Sequence, residues 1–134
     1  MGDPFRRTAF GAALFYKDPV AALDWLERAF GFERTSVHES NGKIAHAELR
    51  FGDGMIMLGA AFENDWGMRT PGALGGVNQG VYVIVDDIEA HYERARGADA
   101  EIVRPLADTD YGSREFMARD PEGNIWSFGT YEPE

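Results

Sequence analysis

An α+β fold made of two tandem βαβββ modules is predicted by three observations. The chain repeats its own pattern, each repeat carries an Asp-capped amphipathic helix ended by glycine, and each closes on a β-hairpin. Asp18 to Gly31 in the first half matches Asp86 to Gly97 in the second, with a shorter helix. Phe51-Gly-Asp-Gly-Met-Ile-Met-Leu-Gly matches Arg119-Asp-Pro-Glu-Gly-Asn-Ile-Trp-Ser-Phe-Gly. The modules cover about residues 8–60 and 78–131 of a single 134-residue domain, joined by a Gly-rich linker.

Each element has a local reason. Ala9 to Tyr16 is a short apolar run and reads as the first strand. Asp18 caps a helix that Pro19 opens; Leu23, Leu26 and Phe30 recur at helical spacing, and Gly31 ends it. Glu33 to Glu39 and Ile44 to Phe51 are strands around an Asn41-Gly42 turn. Asp53-Gly54 turns the chain into a strand over Met55 to Ala60. The linker, Ala61 to Gly76, is long for a simple connection and carries Phe62, Trp66 and Met68. Gln79 to Val85 is a strand, Asp86-Asp87 caps a helix from Ile88 to Arg96, and Gly97 ends it. Ala100 to Arg104 is a strand and Pro105 to Asp110 a loop. Strands at 114–119 and 125–130 close the chain around Asp120-Pro121-Glu122-Gly123-Asn124, a cluster of turn formers.

In that last hairpin Met117 is placed opposite Ser127, Phe116 opposite Phe128, Ala118 opposite Trp126 and Glu115 opposite Gly129. Phe116, Ala118, Trp126 and Phe128 then share an apolar face for helices, and Glu115, Met117 and Ser127 share a mixed one. In the first module the Asp53-Gly54 turn sets Leu49 opposite Leu58, Arg50 opposite Met57 and Glu48 opposite Gly59. That register makes Glu48 the duplicate of Glu115.

The Arg-Asp-Pro-Glu-Gly-Asn-x-Trp hairpin at the end of a duplicated βαβββ chain resembles the vicinal oxygen chelate superfamily. That group includes glyoxalase I, extradiol dioxygenases, fosfomycin-resistance enzymes and bleomycin-resistance proteins. The resemblance covers residues 8 to 131 and implies an incompletely closed eight-stranded barrel with helices outside and a cavity inside. It also implies a homodimer. In metal-dependent members four positions inside the cavity hold an ion, and here they fall on Gly11, Met57, Gly80 and Ser127. Glycine and methionine offer no hard ligand and serine a poor one, so no metal or other cofactor is expected.

Two carboxylates in a cavity suit a cationic ligand, and aromatic side chains suit a flat one. Phe15, His46, Glu48, Met57, Tyr82, Glu115 and Met117 are expected to face the cavity, with Phe62, Trp66, Tyr111 and Arg114 near its mouth. Arg50 or Arg114 could equally neutralise the glutamates, and the inward aromatics could simply fill a core. His38 is placed at an exposed strand end and His91 beside the apolar stripe of its helix, in a structural role.

A formal charge of −10, from 23 acidic and 13 basic residues, argues against nucleic acid and anionic membranes as partners. Cysteine is absent, which removes disulfides, thiol nucleophiles and thiolate metal sites. No apolar run is long enough to span a membrane, and a cytoplasmic location is expected. The reading that results is a metal-independent small-molecule binder of the bleomycin-resistance type, sequestering a partly aromatic, cationic compound without chemistry. The alternative is a lyase or isomerase using His46 or the Glu48/Glu115 pair as acid/base groups or as atypical metal ligands. A cavity without any physiological ligand, kept for dimer formation or as a fusion partner in regulation, is the third.

Overall fold

The computed structural model describes residues 9–131. The first module runs β1 (Gly11–Tyr16), α1 (Pro19–Phe30), β2 (Glu33–Ser40), β3 (Lys43–Phe51) and β4 (Gly54–Ala60). A short helix α2 (Pro71–Leu74) interrupts the linker. The second module runs β5 (Gly80–Ile84), α3 (Ile88–Gly97), β6 (Glu101–Asp108), β7 (Arg114–Arg119) and β8 (Ile125–Gly129). Each module forms its own four-stranded sheet, in orders β1-β4-β3-β2 and β5-β8-β7-β6. The outer pairs β1–β4 and β5–β8 are parallel, and the rest are antiparallel. Two open four-stranded sheets with helices are the expected α+β architecture.

Three local expectations about the strands, turns and linker differ from the structure. The first hairpin turns on Gly52-Asp53, because Gly52 takes the positive φ of +57° that the first position of a Gly-x loop demands. The β3–β4 register therefore slides by two residues: Glu48 faces Met57 and Leu49 faces Ile56. A slide of two preserves which face each side chain takes. Second, β6 continues through Pro105 to Asp108, where a loop was expected. It is the edge strand of its sheet, and its register jumps between Arg104 and Ala107, so the missing proline N–H interrupts no regular ladder. Third, the linker holds a helical turn, because Thr70 caps the short α2 by accepting from Ala73 N. The second hairpin has the expected pairs, Glu115 with Gly129 and Phe116 with Phe128 among them.

Both long helices start on their sequence signals. The Asp18 carboxylate accepts from Ala21 N and the Asp87 carboxylate from Ala90 N, each at 3.1 Å. Gly31 adopts φ +76°, ending α1 in the left-handed region. In α3 Gly97 is still helical, and Ala98 caps the end. The C-terminus of α1 gains a second cap from the other module. Arg94 of α3 donates to Arg28 O at 2.9 Å and to Glu27 O at 2.8 Å, a cation on the negative end of a helix.

The modules share one core. Phe30 of α1 packs on Trp126 and Phe128 of the second sheet, with ring centres 5.5 and 4.6 Å apart. Ala47, Leu49 and Leu58 of the first sheet are buried, as are Phe116 and Ala118 of the second. His91 sits in the same core, 4.7 Å from the Phe128 ring, and its Nε2 is buried without a hydrogen-bond partner.

A polar weld crosses the same boundary. Asp120 is buried and accepts from five donors. They are Tyr16 Oη (2.6 Å), Trp126 Nε1 (3.1 Å), Asn124 Nδ2 (3.1 Å), and the backbone N–H groups of Glu122 and Asn124 (3.0 Å each). Burial, and then the neighbouring Asp120 charge, push the Tyr16 hydroxyl well above its ordinary range. Glu122 of the same turn accepts from the backbone N–H groups of Lys17 and Asp18, at 2.6 and 2.9 Å.

Two outcomes are expected. Tyr16→Phe removes one charge-assisted bond and should lower unfolding free energy by about 1.5–3 kcal/mol, read from urea denaturation; Asp120→Ala strands Tyr16 Oη and Trp126 Nε1 as well and should cost more. Burial, with a smaller contribution from the Arg94 charge, lowers the His91 pKa to about 4. The unfolded chain then binds a proton between about pH 6.5 and 4 that the folded chain does not. Stability contributed by neutral His91 is complete above about pH 6.5 and is lost progressively down to about pH 4. His91→Phe should flatten that part of the stability–pH curve; an unchanged slope over that window would contradict it.

Candidate ligand-binding faces

With one face of each sheet committed to the core, the opposite face is left open, and strand alternation decides what it shows. On the first sheet Phe15 of β1, His46 of β3 and Met57 of β4 line a cavity of about 200 Å³ together with Phe62 and Met68 of the linker. Phe15, Phe62 and Trp66 form a row, with ring centres 5.2 and 5.4 Å apart. Trp66 ends it at 64% exposure.

The linker is built to present that row. The Asn64 side-chain amide donates to Phe62 O (3.0 Å) and Met68 O (3.1 Å). Its carbonyl oxygen accepts from Met68 N (3.2 Å) and Arg69 Nη1 (3.1 Å). Arg69 Nη2 reaches back to Asn64 O at 3.1 Å. Asn64 and Arg69 are absent from the candidates that the sequence suggests. An Asn inside a Gly-rich acidic stretch was the available sign, since Asn bonds to nearby backbone.

On the second sheet Glu115 is clamped between two phenols. Tyr82 Oη donates to one carboxylate oxygen and Tyr111 Oη to the other, each at 2.6 Å. Partial burial pushes the Glu115 carboxyl up, but the bonds from Tyr111 and Tyr82 outweigh it and leave it below its usual range. Burial and the Glu115 bond raise the Tyr82 hydroxyl, and the Glu115 bond raises that of Tyr111. The clamp needs Gly129: a Cβ there would fall on Tyr82 Oη and 2.6 Å from Glu115 Cγ. Glu115, Met117, Ser127, Tyr111 and Arg104 line a cavity of about 370 Å³.

The remaining candidates are placed as follows. Glu48 lies beside His46, with Oε2 at 2.9 Å from the ring Nε2. Arg114 is not among the open-face groups. It alternates with Glu115 and is paired with Glu89 of α3 (2.9 Å) and Asp108 (3.0 Å). Neither Arg50 nor Arg114 neutralises a glutamate of the open faces, because Arg50 donates to Gly52 O. Glu48 and Glu115 are also not duplicates. Gly11 pairs with Met55 and Gly80 with Ile125, which makes Met57 the counterpart of Ser127. Glu48 faces Met57 and Met117 faces Ser127, so Glu48 corresponds to Met117 and His46 to Glu115.

The four positions that hold the superfamily's metal carry no suitable donors. Gly11 and Met57 lie on the first sheet, and Gly80 and Ser127 on the second. A Cβ at Gly11 would fall on Met55 Sδ, so that position is filled by a thioether. Gly, Met, Gly and Ser do not make a site for a hard or borderline divalent ion, and the residues present do not fit the group.

The two lined faces share no residue, and no strand pairing joins the sheets among the described residues. Their free edges, β1 and β5, flank a third, largely apolar cavity of about 670 Å³ lined by Ala12, Ile56, Val81 and Val83. Nearby Tyr82 and Ile84 remain 41% and 43% exposed. Among the described residues no helix is long and apolar enough to cross a membrane.

The clamp makes a spectroscopic prediction. In Glu115→Gln and in Gly129→Ala, ultraviolet titration should show tyrosine ionisation moving back towards the ordinary value near pH 10. Titration curves identical to the wild type would mean that the two phenols are not held by Glu115 in solution.

Residues 9–128 match the family described as the Glyoxalase/Bleomycin resistance protein/Dioxygenase superfamily. An uncharacterised protein of Mycobacterium tuberculosis is 33% identical over 124 residues, covering 90% of this chain and 73% of that protein. The crystal structure of TioX from Micromonospora sp. ML1 superposes with a TM-score of 0.78 at 35% identity, covering 93% of this chain and 99% of TioX. The fosfomycin-resistance protein FosX from Listeria monocytogenes, crystallised as a point mutant with Mn(II) and 1S,2S-dihydroxypropylphosphonic acid, shares the fold. It matches with a TM-score of 0.67 at 11% identity, over 96% of this chain and 93% of that one.

Proposed function

The chain belongs to the Glyoxalase/Bleomycin resistance protein/Dioxygenase superfamily, and we propose that within it this protein is a metal-independent, cytoplasmic small-molecule binder. Its ligand is a partly aromatic, cationic compound, held without chemical change. The observation that carries this reading is the Tyr82–Glu115–Tyr111 clamp. It fixes an ionised carboxylate whose two oxygens are each anchored by a phenol, with lone pairs left for a ligand. A carboxylate set in place this way loses little freedom when a cation binds, which favours affinity over reaction. The Phe15–Phe62–Trp66 row supplies the surface for a flat ring system. The donor set Gly11, Met57, Gly80 and Ser127 supports independence from the superfamily's metal.

The active unit proposed is a homodimer in which the first sheet of one chain faces the second sheet of its partner. Three features support it: two separately lined half-sites, unpaired edges at β1 and β5, and the apolar cavity between those edges. Each complete site then takes the aromatic row from one chain and the Glu115 clamp from the other.

Titrating tag-free protein with proflavine and related cationic planar compounds, followed by tryptophan fluorescence, tests both statements. Saturation at one molecule per chain is expected, with the compound recovered unaltered. Trp66→Ala and Glu115→Gln should each weaken binding by about five- to thirtyfold, since a cation–aromatic contact or a charge pair is worth roughly 1–2 kcal/mol. Mixed and allowed to exchange subunits, the two variants should regain about a quarter of the sites, because half of the dimers are mixed and each carries one intact pair of faces. No recovery on mixing would place the whole cavity within one chain, and turnover of the compound would sink the binding-only reading.

A second reading has one specific observation behind it. The His46–Glu48 contact at 2.9 Å is an orientation suited to a general base. Solvent-proton exchange into a bound ligand, lost in His46→Ala and kept in Trp66→Ala, would favour an enzyme.

A further inference from the structure

The duplication replaces Glu115 by His46 on the first sheet, and His46 has a neighbour that Glu115 lacks. His38 of β2 pairs directly with His46 of β3, so both imidazoles leave the same face of adjacent strands. Their ring centres are 5.8 Å apart and their planes 33° apart. Two imidazoles bound to one zinc-sized ion through bonds of about 2.0–2.1 Å place their ring centres roughly 5–6 Å apart. Glu48 Oε2 lies 2.9 Å from His46 Nε2, a hydrogen-bond contact that keeps a carboxylate beside the pair. Register irregularities between Arg34 and Ser36 and between His38 and Glu39 bracket this part of β2, and such irregularities re-aim side chains.

We propose that the cross-strand pair His38 and His46, closed by the Glu48 carboxylate, is a binding site for a borderline divalent metal ion such as zinc, nickel or copper. It is separate from the superfamily's four metal positions, none of which it uses. Among the described residues no group of three or more His, Asp or Glu side chains is placed to hold a metal ion. The histidine pair is therefore the anchor, and Glu48 leaves its contact with the His46 ring to complete the set. Imidazole selects these ions over magnesium and calcium, which prefer all-oxygen sites. The chain has no cysteine and only three histidines. The third, His91, is packed among core aromatics, so no other exposed imidazole competes. An ion here would also tie β2, the edge strand of the first sheet, to β3.

The experiment is competition of tag-free protein with a chromophoric chelator for zinc, paired with electron paramagnetic resonance of the copper-loaded protein. Expected are one zinc per chain, loss of tight binding in both His38→Ala and His46→Ala, and about a tenfold or greater weakening in Glu48→Gln. The copper spectrum should show coupling to two imidazole nitrogens, and His91→Phe should leave it unchanged. His38→Ala changes an exposed position, so a folded variant is available even if His46→Ala is damaged. Zinc binding that is absent, or equal in the wild type and His38→Ala, overturns the proposal and leaves the pair as a ring contact only. The readout needs no organic ligand, so its failure is separate from failure of the sequestration reading.

Discussion

Asp120 is the constraint on which the rest of the molecule depends. A buried carboxylate is tolerable only if its lone pairs are taken, and here five donors take them. Three come from its own turn, one from Trp126 in the adjacent strand and one from Tyr16 in the other module. The same side chain therefore shapes the closing hairpin, orients the largest core residue and ties the second sheet to the first. Glu122 repeats the tie through the backbone N–H groups at the start of α1. The Asp-Pro-Glu-Gly-Asn motif, legible as a turn, is also the joint between the modules.

Committing helices and apolar faces to a joint core has a consequence for function. Both remaining sheet faces must be open, and neither alone makes an enclosed site. The duplicated scaffold supplies two equivalent surfaces, and substitution has made them different. One carries an aromatic row stiffened by Asn64; the other carries a carboxylate stiffened by two tyrosines. The pairing of Glu115 with Gly129 shows how tightly such a device is specified, because the clamp occupies the space where any side chain would start. Rigid placement of few polar groups among aromatic ones is the chemistry of recognition, and it suits the binding role proposed here.

Most of the fold was open to reading because its signals are local. Helix caps, the turn clusters and strand alternation in β7 and β8 act over a few residues, and they placed Phe116, Trp126 and Phe128 correctly on the helix side. The register of β3 and β4 was read two residues out, since two glycines, Gly52 and Gly54, flank the same aspartate and only one takes positive φ. The extension of β6 through Pro105 could not be read either. A proline argues against a strand unless the strand is known to lie at an edge, and edge position is a property of the whole sheet.

By itself the sequence determined the duplicated α+β architecture and which residues of the closing hairpin share each of its two faces. These follow from residue type and from periodicities of two and 3.6, which the chain carries with it wherever it folds. Only the tertiary structure decided partners: Asp120 with Tyr16 104 residues away, Arg94 on the end of α1, Tyr82 and Tyr111 on Glu115, Arg114 on Glu89 and Asp108, and His38 against His46. Such contacts depend on strand register and on how two sheets meet across a core. Both are set by packing the whole chain at once, and neither is written in any short stretch of it.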